Sequence, residues 1–200
     1  DGAVADTLGR FPATEMVMVG SPTTGMLIRP LPFGRRTVAA VHGARVYLAT
    51  GDRYEIAGYE TGRGLRELIR ADRPALEVTR RDIDDYRRTL VTLGGGGDAT
   101  LQRQQEKALD DAPYPKQMAP LTGLAVDADG YLWVEEARRP GAERGNEWTV
   151  FAPDGSARGT VTLPRNLAVK QIGRDWILGV ALDDDQVEHV RLHRLTRAPG

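Results

Sequence analysis

The chain has 200 residues, no cysteine, and 27 Lys and Arg against 28 Asp and Glu, for a net charge of −1. The missing thiols exclude disulfides, thiolate catalysis and cysteine zinc sites, and the balanced charge, with no basic stripe, argues against a nucleic-acid partner. A 40% hydrophobic fraction suits one folded domain over residues 1–200, and no apolar run approaches the roughly 20 residues of a membrane span.

The first 35 residues read as the end of one repeat and an added hairpin. "DGAVADTLGRFP" parallels the later "DGSARGTVTLP", so Asp1-Gly2 corresponds to Asp154-Gly155, and a strand followed by a proline is expected after it. No basic and apolar leader opens the chain. "EMVMVG" and "GMLIRP" are expected to pair as an extra hairpin.

From Arg36 onward, short apolar runs alternate with turn residues. "RTVAAV" and "RVYLAT" flank "HGA"; "LTGLAV" and "YLWVEE" flank "DADG"; "WILGVAL" and "VEHVRLHRL" flank "DDDQ". Each is a hairpin signal. Three copies follow: about Arg36–Arg70, Leu121–Leu163 and Val169–Leu195. In these copies Val41, Val126 and Ile172 precede a turn and then Val46, Tyr131 and Ile177. The interval from Val126 to Ile172 is 46 residues, close to the roughly 40–45 residues of a four-stranded propeller blade. The longer interval before it leaves room for an insertion at about 73–120. There "TRRDIDDYRRTL" predicts a helix. Thr79 is its N-cap, Asp82 follows three positions later as in a capping box, and Ile83, Tyr86 and Leu90 share a face. "GGGG" ends it, and "DATLQRQQEKALDDA" reads as a second helix from Asp98.

The phrase "LTGLAVDADGYLWVEE…EWTVFAPDGSARGTVTLP", with Val126, Asp127, Gly130, Leu132, Trp133, Val134, Phe151, Asp154 and Gly155 in the key places, resembles bacterial six-bladed β-propellers of the NHL and TolB-like kind. The resemblance covers about three-quarters of the chain. It implies an all-β fold, a β-propeller with about three four-stranded blades of a partial six-bladed ring, and a short helical insertion. Three blades cannot close such a ring, so the chain is expected to be the C-terminal portion of a longer protein. The resemblance also implies an extracytoplasmic bacterial protein. It does not set a function, because propellers host many.

Candidate chemistry is sparse. Asp127 and Asp129 lack the further donors of a calcium loop, and Asp-Gly between apolar runs is a turn; no metal site is expected. Tyr131 and Trp133 point one way from their strand and Leu132 and Val134 the other, so both faces of that strand should be covered, with Trp133 in the core. Glu135 and Glu136 open the charged loop "EEARRPGAERGNE" on opposite faces, which rules against an acid–base pair. His42 is placed in a turn. His189 and His193 are about 13 Å apart along a strand, too far for one zinc. No HExxH, GxSxG or P-loop occurs.

The loop after Glu136 and the helical insertion should emerge on the same face of a propeller, and long loops on a rigid scaffold are where binding concentrates. The expected function is therefore a non-enzymatic domain that binds a protein, peptide or glycan through Glu135, Glu136, Arg138, Arg139 and Arg144, without a cofactor. The alternative is a calcium-dependent, lactonase-like hydrolase or lyase with part of its site outside this chain. Asn146 and Asn166, the only asparagines, are not on inner strands, which weighs against that alternative.

Overall fold

The computed structural model describes residues 7–21, 25–93, 109–110, 112–183, 185 and 187–197. These form four antiparallel sheets and one helix, with no closed barrel. The strands β1 (Met16–Ser21) and β2 (Gly25–Pro30) form a two-stranded hairpin, as the two runs predict. A first meander joins β3 (Val38–His42), β4 (Arg45–Ala49), β5 (Glu55–Glu60) and β6 (Gly64–Arg70). Helix α1 (Arg80–Leu93) follows. A second meander joins β7 (Leu121–Val126), β8 (Leu132–Glu136), β9 (Asn146–Phe151) and β10 (Ala157–Leu163). A third has three strands, β11 (Leu167–Ile172), β12 (Trp176–Leu182) and β13 (Glu188–Arg194). The three meanders lie where the three sequence copies were expected.

Period-2 alternation explains how the sheets stack. On β8, Leu132 and Val134 point into a core with Tyr47, Ile56, Leu121 and Phe151. Trp133, between them, points into a second core with Trp148, Leu167, Ile172 and Ile177. The second meander is therefore covered on both faces, by the first meander on one side and the third on the other. The first strands β3, β7 and β11 lie next to one another. This arrangement is compatible with propeller-like stacking of blades.

The turns after these first strands gather at one end. The Asp-Gly turn after β7 is set by Gly130, which adopts φ 84°, a left-handed conformation that glycine reaches without a Cβ penalty. His42, expected in the turn, is instead the last residue of β3, just before it, and its ring lies against Gly130, about 3.5 Å from where a Cβ would sit. Ala128 donates its N–H to the Ile172 carbonyl at 3.2 Å.

Asp127 lies at the centre of this end and is 1% exposed. Its Oδ1 accepts the backbone N–H groups of Asp129 (2.9 Å) and Tyr131 (3.0 Å). Its Oδ2 accepts the Trp133 indole N–H (2.9 Å) and the Arg197 guanidinium (2.7 Å). Arg197 also covers the Tyr131 ring at 5.1 Å and donates to the Arg174 carbonyl at 3.1 Å. The aspartate thus turns the chain, as expected, and also ties two sheets together. Because the turn spans Asp127–Tyr131, Val126 pairs with Leu132, one residue later than the sequence copies imply.

The expected N-terminal strand is not borne out in its described part. Residues 7–15 form no strand. Gly9 is at φ 148°, Phe11 packs edge-on against Tyr59 at 5.7 Å, and the Thr37 hydroxyl donates to the Pro12 carbonyl. The segment is held by Phe11 against the first meander and, at its end, by Glu15, whose N–H donates to the Arg35 carbonyl at 3.0 Å and whose carbonyl accepts the Leu31 N–H at 2.8 Å. Residues 1–6 and most of the second expected helix lie outside the described residues.

Replacing Asp127 by alanine leaves the Trp133 N–H and two backbone N–H groups without their acceptor and Arg197 without its counter-charge. The expected cost is about 3 kcal/mol in urea unfolding. Arg197→Gln should also destabilise, because it leaves the fully buried Asp127 carboxylate without its counter-charge. Equal unfolding midpoints for wild type and Asp127→Ala would show that this contact does not hold the sheets.

Candidate functional site

The opposite end carries the connections between second and third strands and between successive sheets. The capping box starts α1 as its sequence implies. The Thr79 N–H and hydroxyl both donate to Asp82 Oδ2 (2.8 and 2.6 Å), and the Asp82 N–H donates to Thr79 Oγ1 (3.3 Å). Arg139, from the loop after β8, donates to the same Asp82 carboxylate and to the Glu77 carbonyl. In that loop, a Cβ on Gly141 would stand 3.1 Å from the Asp85 carboxylate. The charged loop and the helical insertion therefore share one face, as expected.

A third segment joins them. Residues 31–37 precede β3, and Arg35 there is fully engaged: its Nε donates to Glu15 (2.9 Å) and its Nη1 to Asp52 (2.7 Å). Phe33 holds φ 62°, a left-handed conformation rare for a bulky residue. Its ring packs on Tyr86 (5.5 Å) and Tyr114 (6.1 Å), and its carbonyl accepts the Ala119 N–H at 3.1 Å. Packing from three directions holds the strained residue in place.

These segments line an open pocket of about 360 Å³, whose walls include Phe33, Tyr86, Thr122 and the exposed arginines Arg36, Arg138 and Arg165. Arg139 also borders it but is committed to Asp82. Arg36, Arg138 and Arg165 make no ion pair or side-chain hydrogen bond among the described residues. The nearby acids are Asp85, which Arg81 and Arg88 pair, and Glu135. Burial raises the Glu135 pKa above the ordinary glutamate range; a hydrogen bond from the Thr122 hydroxyl (3.0 Å) and the charges of Arg138 and Arg36 only partly oppose this. Partial desolvation lowers the Arg138 pKa, the charge of Arg165 lowers it further, and Glu135 opposes both. The pocket therefore carries three arginines without an ion-pair partner among the described residues, with Glu135 the unpaired acid beside them.

The expected site residues divide. Arg138 lines this cavity. It also lines a second one of about 300 Å³, with Arg73, Glu136 and Arg144. Arg139 is a strut between loop and helix. Glu135 and Glu136 are the last two residues of β8 and so precede the loop they were expected to open. They do face opposite ways. Glu136 accepts the Tyr54 hydroxyl (2.9 Å) and the Thr149 hydroxyl and lies 3.6 Å from Arg73. These contacts are all to Oε1, which ties Glu136 to β9 and to the connection before β5. Burial, and next the charge of Glu136, raise the Tyr54 pKa.

Arg36 and Arg165 carry no local motif. Each lies two residues before the first strand of its sheet, Val38 or Leu167, and Ala119 holds the matching place before Leu121. All three of these positions line the cavity.

The histidines assemble no metal centre. His189 pairs with Asp183 at 2.7 Å, and His189, Arg191 and His193 line a separate cavity beside Asn166. Among the described residues no group of three or more His, Cys, Asp or Glu could hold a metal ion, and no helix is long and apolar enough to cross a membrane. The chain matches no family model, and no curated protein matches its sequence.

Two carboxylates of this end should show opposite pH signatures. Burial works against the Asp82 anion, but bonds from the Thr79 hydroxyl and N–H and from Arg139 outweigh it and hold the pKa below the ordinary value. Its contribution is present above the unfolded pKa and lost as pH falls through the folded one. Asp82→Asn should cost about 1 kcal/mol at neutral pH and progressively less in acid. Glu135 is raised, so the folded chain holds its proton more tightly and stability falls as pH climbs past the ordinary glutamate value. Glu135→Gln should therefore be more stable than wild type at pH 7 and equal to it in acid. Denaturant titrations from pH 3 to pH 8 read both. A Glu135→Gln variant less stable at pH 7 would show that the charged form is favoured there.

Proposed function

We propose that this chain is a non-enzymatic binding domain that takes a protein or peptide partner on its loop-bearing end. The observation that carries this reading is the set of three unpaired arginines around a cavity whose walls come from three separate connections. A rigid stack of sheets supports these connections, and a strained but over-determined residue, Phe33, holds one wall. Such preorganisation reduces the ordering cost of binding. The arginines are of the residue type that anchors interfaces, and the segments around them are loops on a scaffold.

Selection of binders from a random displayed-peptide library, followed by mapping of amide chemical shifts, tests this. Selected peptides should perturb residues 31–37, 115–122, 137–145 and 164–166. Arg138→Ala combined with Arg165→Ala should weaken them roughly ten-fold or more, the loss of one or two charged hydrogen bonds. Peptides that map to the Asp127 end, or bind the double variant unchanged, would refute it.

For the fold we propose a β-propeller of the NHL and TolB-like kind, with the meanders as successive blades of a six-bladed ring. Support comes from the adjacent first strands and from the uncovered face of the third meander, where Val190 and Leu192 are 75% and 68% exposed. Apolar residues exposed at this level on a sheet face suit the stacking of a further blade. The isolated chain should accordingly self-associate in sedimentation velocity, and Val190→Lys with Leu192→Lys should reduce that association. A wild-type chain monomeric at all concentrations would count against these stacking faces.

A further inference from the structure

We propose that Arg36, Arg138 and Arg165 form an oxyanion pocket that receives one carboxylate or phosphoryl group. This deepens the partner-binding reading and rests on it for the identity of the face.

Charge accounting is the first ground. At this end Arg35 holds Glu15 and Asp52, Arg73 lies 3.6 Å from Glu136, and Arg139 holds Asp82, while Arg53 and Arg144 make no ion pair among the described residues and line other pockets. The three pocket arginines have none among the described residues, although they face a common cavity. Guanidinium groups brought together unpaired repel one another, and Arg138 and Arg165 do so here. Folding brings them together because each is fixed by its own element: Arg36 and Arg165 by the entry to an inner strand, Arg138 by the exit from β8.

Geometry is the second ground. Guanidinium forks match the planar carboxylate and the phosphoryl group by paired N–H···O bonds. Tyr86 and Thr122 also line the cavity; the Thr122 hydroxyl is held by Glu135 and the Thr89 hydroxyl by the Asp85 carbonyl, so the arginines are its main donors. Its volume of about 360 Å³ admits a side chain or small anion. The apolar ring of Phe33 supplies part of the wall.

Glu135 gives the inference a distinctive signature. It is the acid that competes for Arg138 and Arg36, and burial disfavours its charged form. A bound oxyanion and a charged Glu135 oppose each other, so anion binding should favour protonation of Glu135, and its neutral replacement should favour the anion.

The test uses the chain itself with two probes, glutarate and inorganic phosphate, at ionic strength held constant with sodium chloride. Thermal unfolding and titration calorimetry read the response, since a ligand bound only by the folded state raises the unfolding temperature. Wild type should respond to at least one probe. Arg138→Gln with Arg165→Gln should abolish the response, and Arg36→Gln alone should weaken binding roughly ten-fold. Glu135→Gln should tighten binding. Arg158→Gln, an exposed arginine on β10, should behave as wild type. A response to glutarate alone assigns a carboxylate source, to phosphate alone a phosphoryl source, and to both the shared chemistry. Equal responses in Arg158→Gln and the pocket variants would mean general charge screening and overturn the pocket, as would no response to either probe in wild type. Should the double variant fail to fold by circular dichroism, Arg36→Gln and Glu135→Gln, which move binding in opposite directions, decide the matter. Anion binding at the pocket with selected peptides mapping elsewhere would refute the partner surface and leave the pocket standing. Peptides at this face with no anion response would refute the pocket alone.

Discussion

One buried carboxylate, Asp127, sets the relation between the second and third meanders. Its position follows from two demands. The Asp-Gly turn needs an acceptor for the Asp129 and Tyr131 N–H groups, and the Trp133 indole, packed between sheets, needs one for its own N–H. A single aspartate meets both, but a buried carboxylate is costly without a counter-charge. Arg197 provides it from 70 residues along the chain. The same guanidinium lies over Tyr131 and reaches the carbonyl of Arg174, in the turn after β11. Arg174 in turn lies 3.0 Å from Asp129. The turn end of the second meander is thus bonded, by charge and by hydrogen bonds, to the turn end of the third.

The two ends of the stack differ in how they treat arginine. At the turn end Arg197 is spent on Asp127. At the loop end neighbours in sequence have opposite fates: Arg35 is paired and Arg36 is not, Arg139 is paired and Arg138 is not. In each pair the engaged member positions the backbone that presents the other. Arg35, through Glu15 and Asp52, fixes the segment before β3, and Arg139, through Asp82, fixes the loop after β8 against α1. Unpaired charge on anchored backbone differs from unpaired charge on a mobile tail, because the ordering cost is already met by folding.

Features governed by local periodicity were legible in the sequence. Alternation along "YLWVEE" placed Leu132 and Val134 on one face and Trp133 on the other, and both faces proved covered. Thr79 and Asp82, three residues apart, marked the start of α1. The hairpin of "EMVMVG" and "GMLIRP" formed as its two apolar runs imply. Features that depend on distant partners were not legible. "DADG" reads as a turn, and nothing near it announces Arg197. Arg139 and Arg138 look alike in "EEARRPG", yet only one meets Asp82, 57 residues earlier. Nothing near Glu136 announces that Tyr54 and Thr149 share one of its oxygens. The strand expected near the start failed because a short resemblance to "DGSARGTVTLP" carries no information about whether a neighbouring strand edge is there to pair with. Arg36 and Arg165 could have been found by register, since each precedes an inner strand by two residues, but only once those strands were aligned.

Register also explains why the arginines converge. In stacked meanders whose first strands lie side by side, residues at matching positions before those strands are brought to neighbouring places. Arg36, Ala119 and Arg165 hold those places, and the small middle residue leaves space between two large cations. Arg138 enters from the adjoining edge of the second meander. A third arginine at position 119 would fill the gap and add to the repulsion; alanine there keeps a cavity instead. The convergence is therefore a consequence of sheet stacking combined with residue size, and it requires no sequence motif. Glu135 shares this end but lies on the Trp148 side of β8, where a Cβ on Gly123 would touch its carboxylate at 2.8 Å. Its tight seat desolvates it and weakens its claim on the arginines. Charge balance at the cavity is then completed most favourably by an acid from outside the chain.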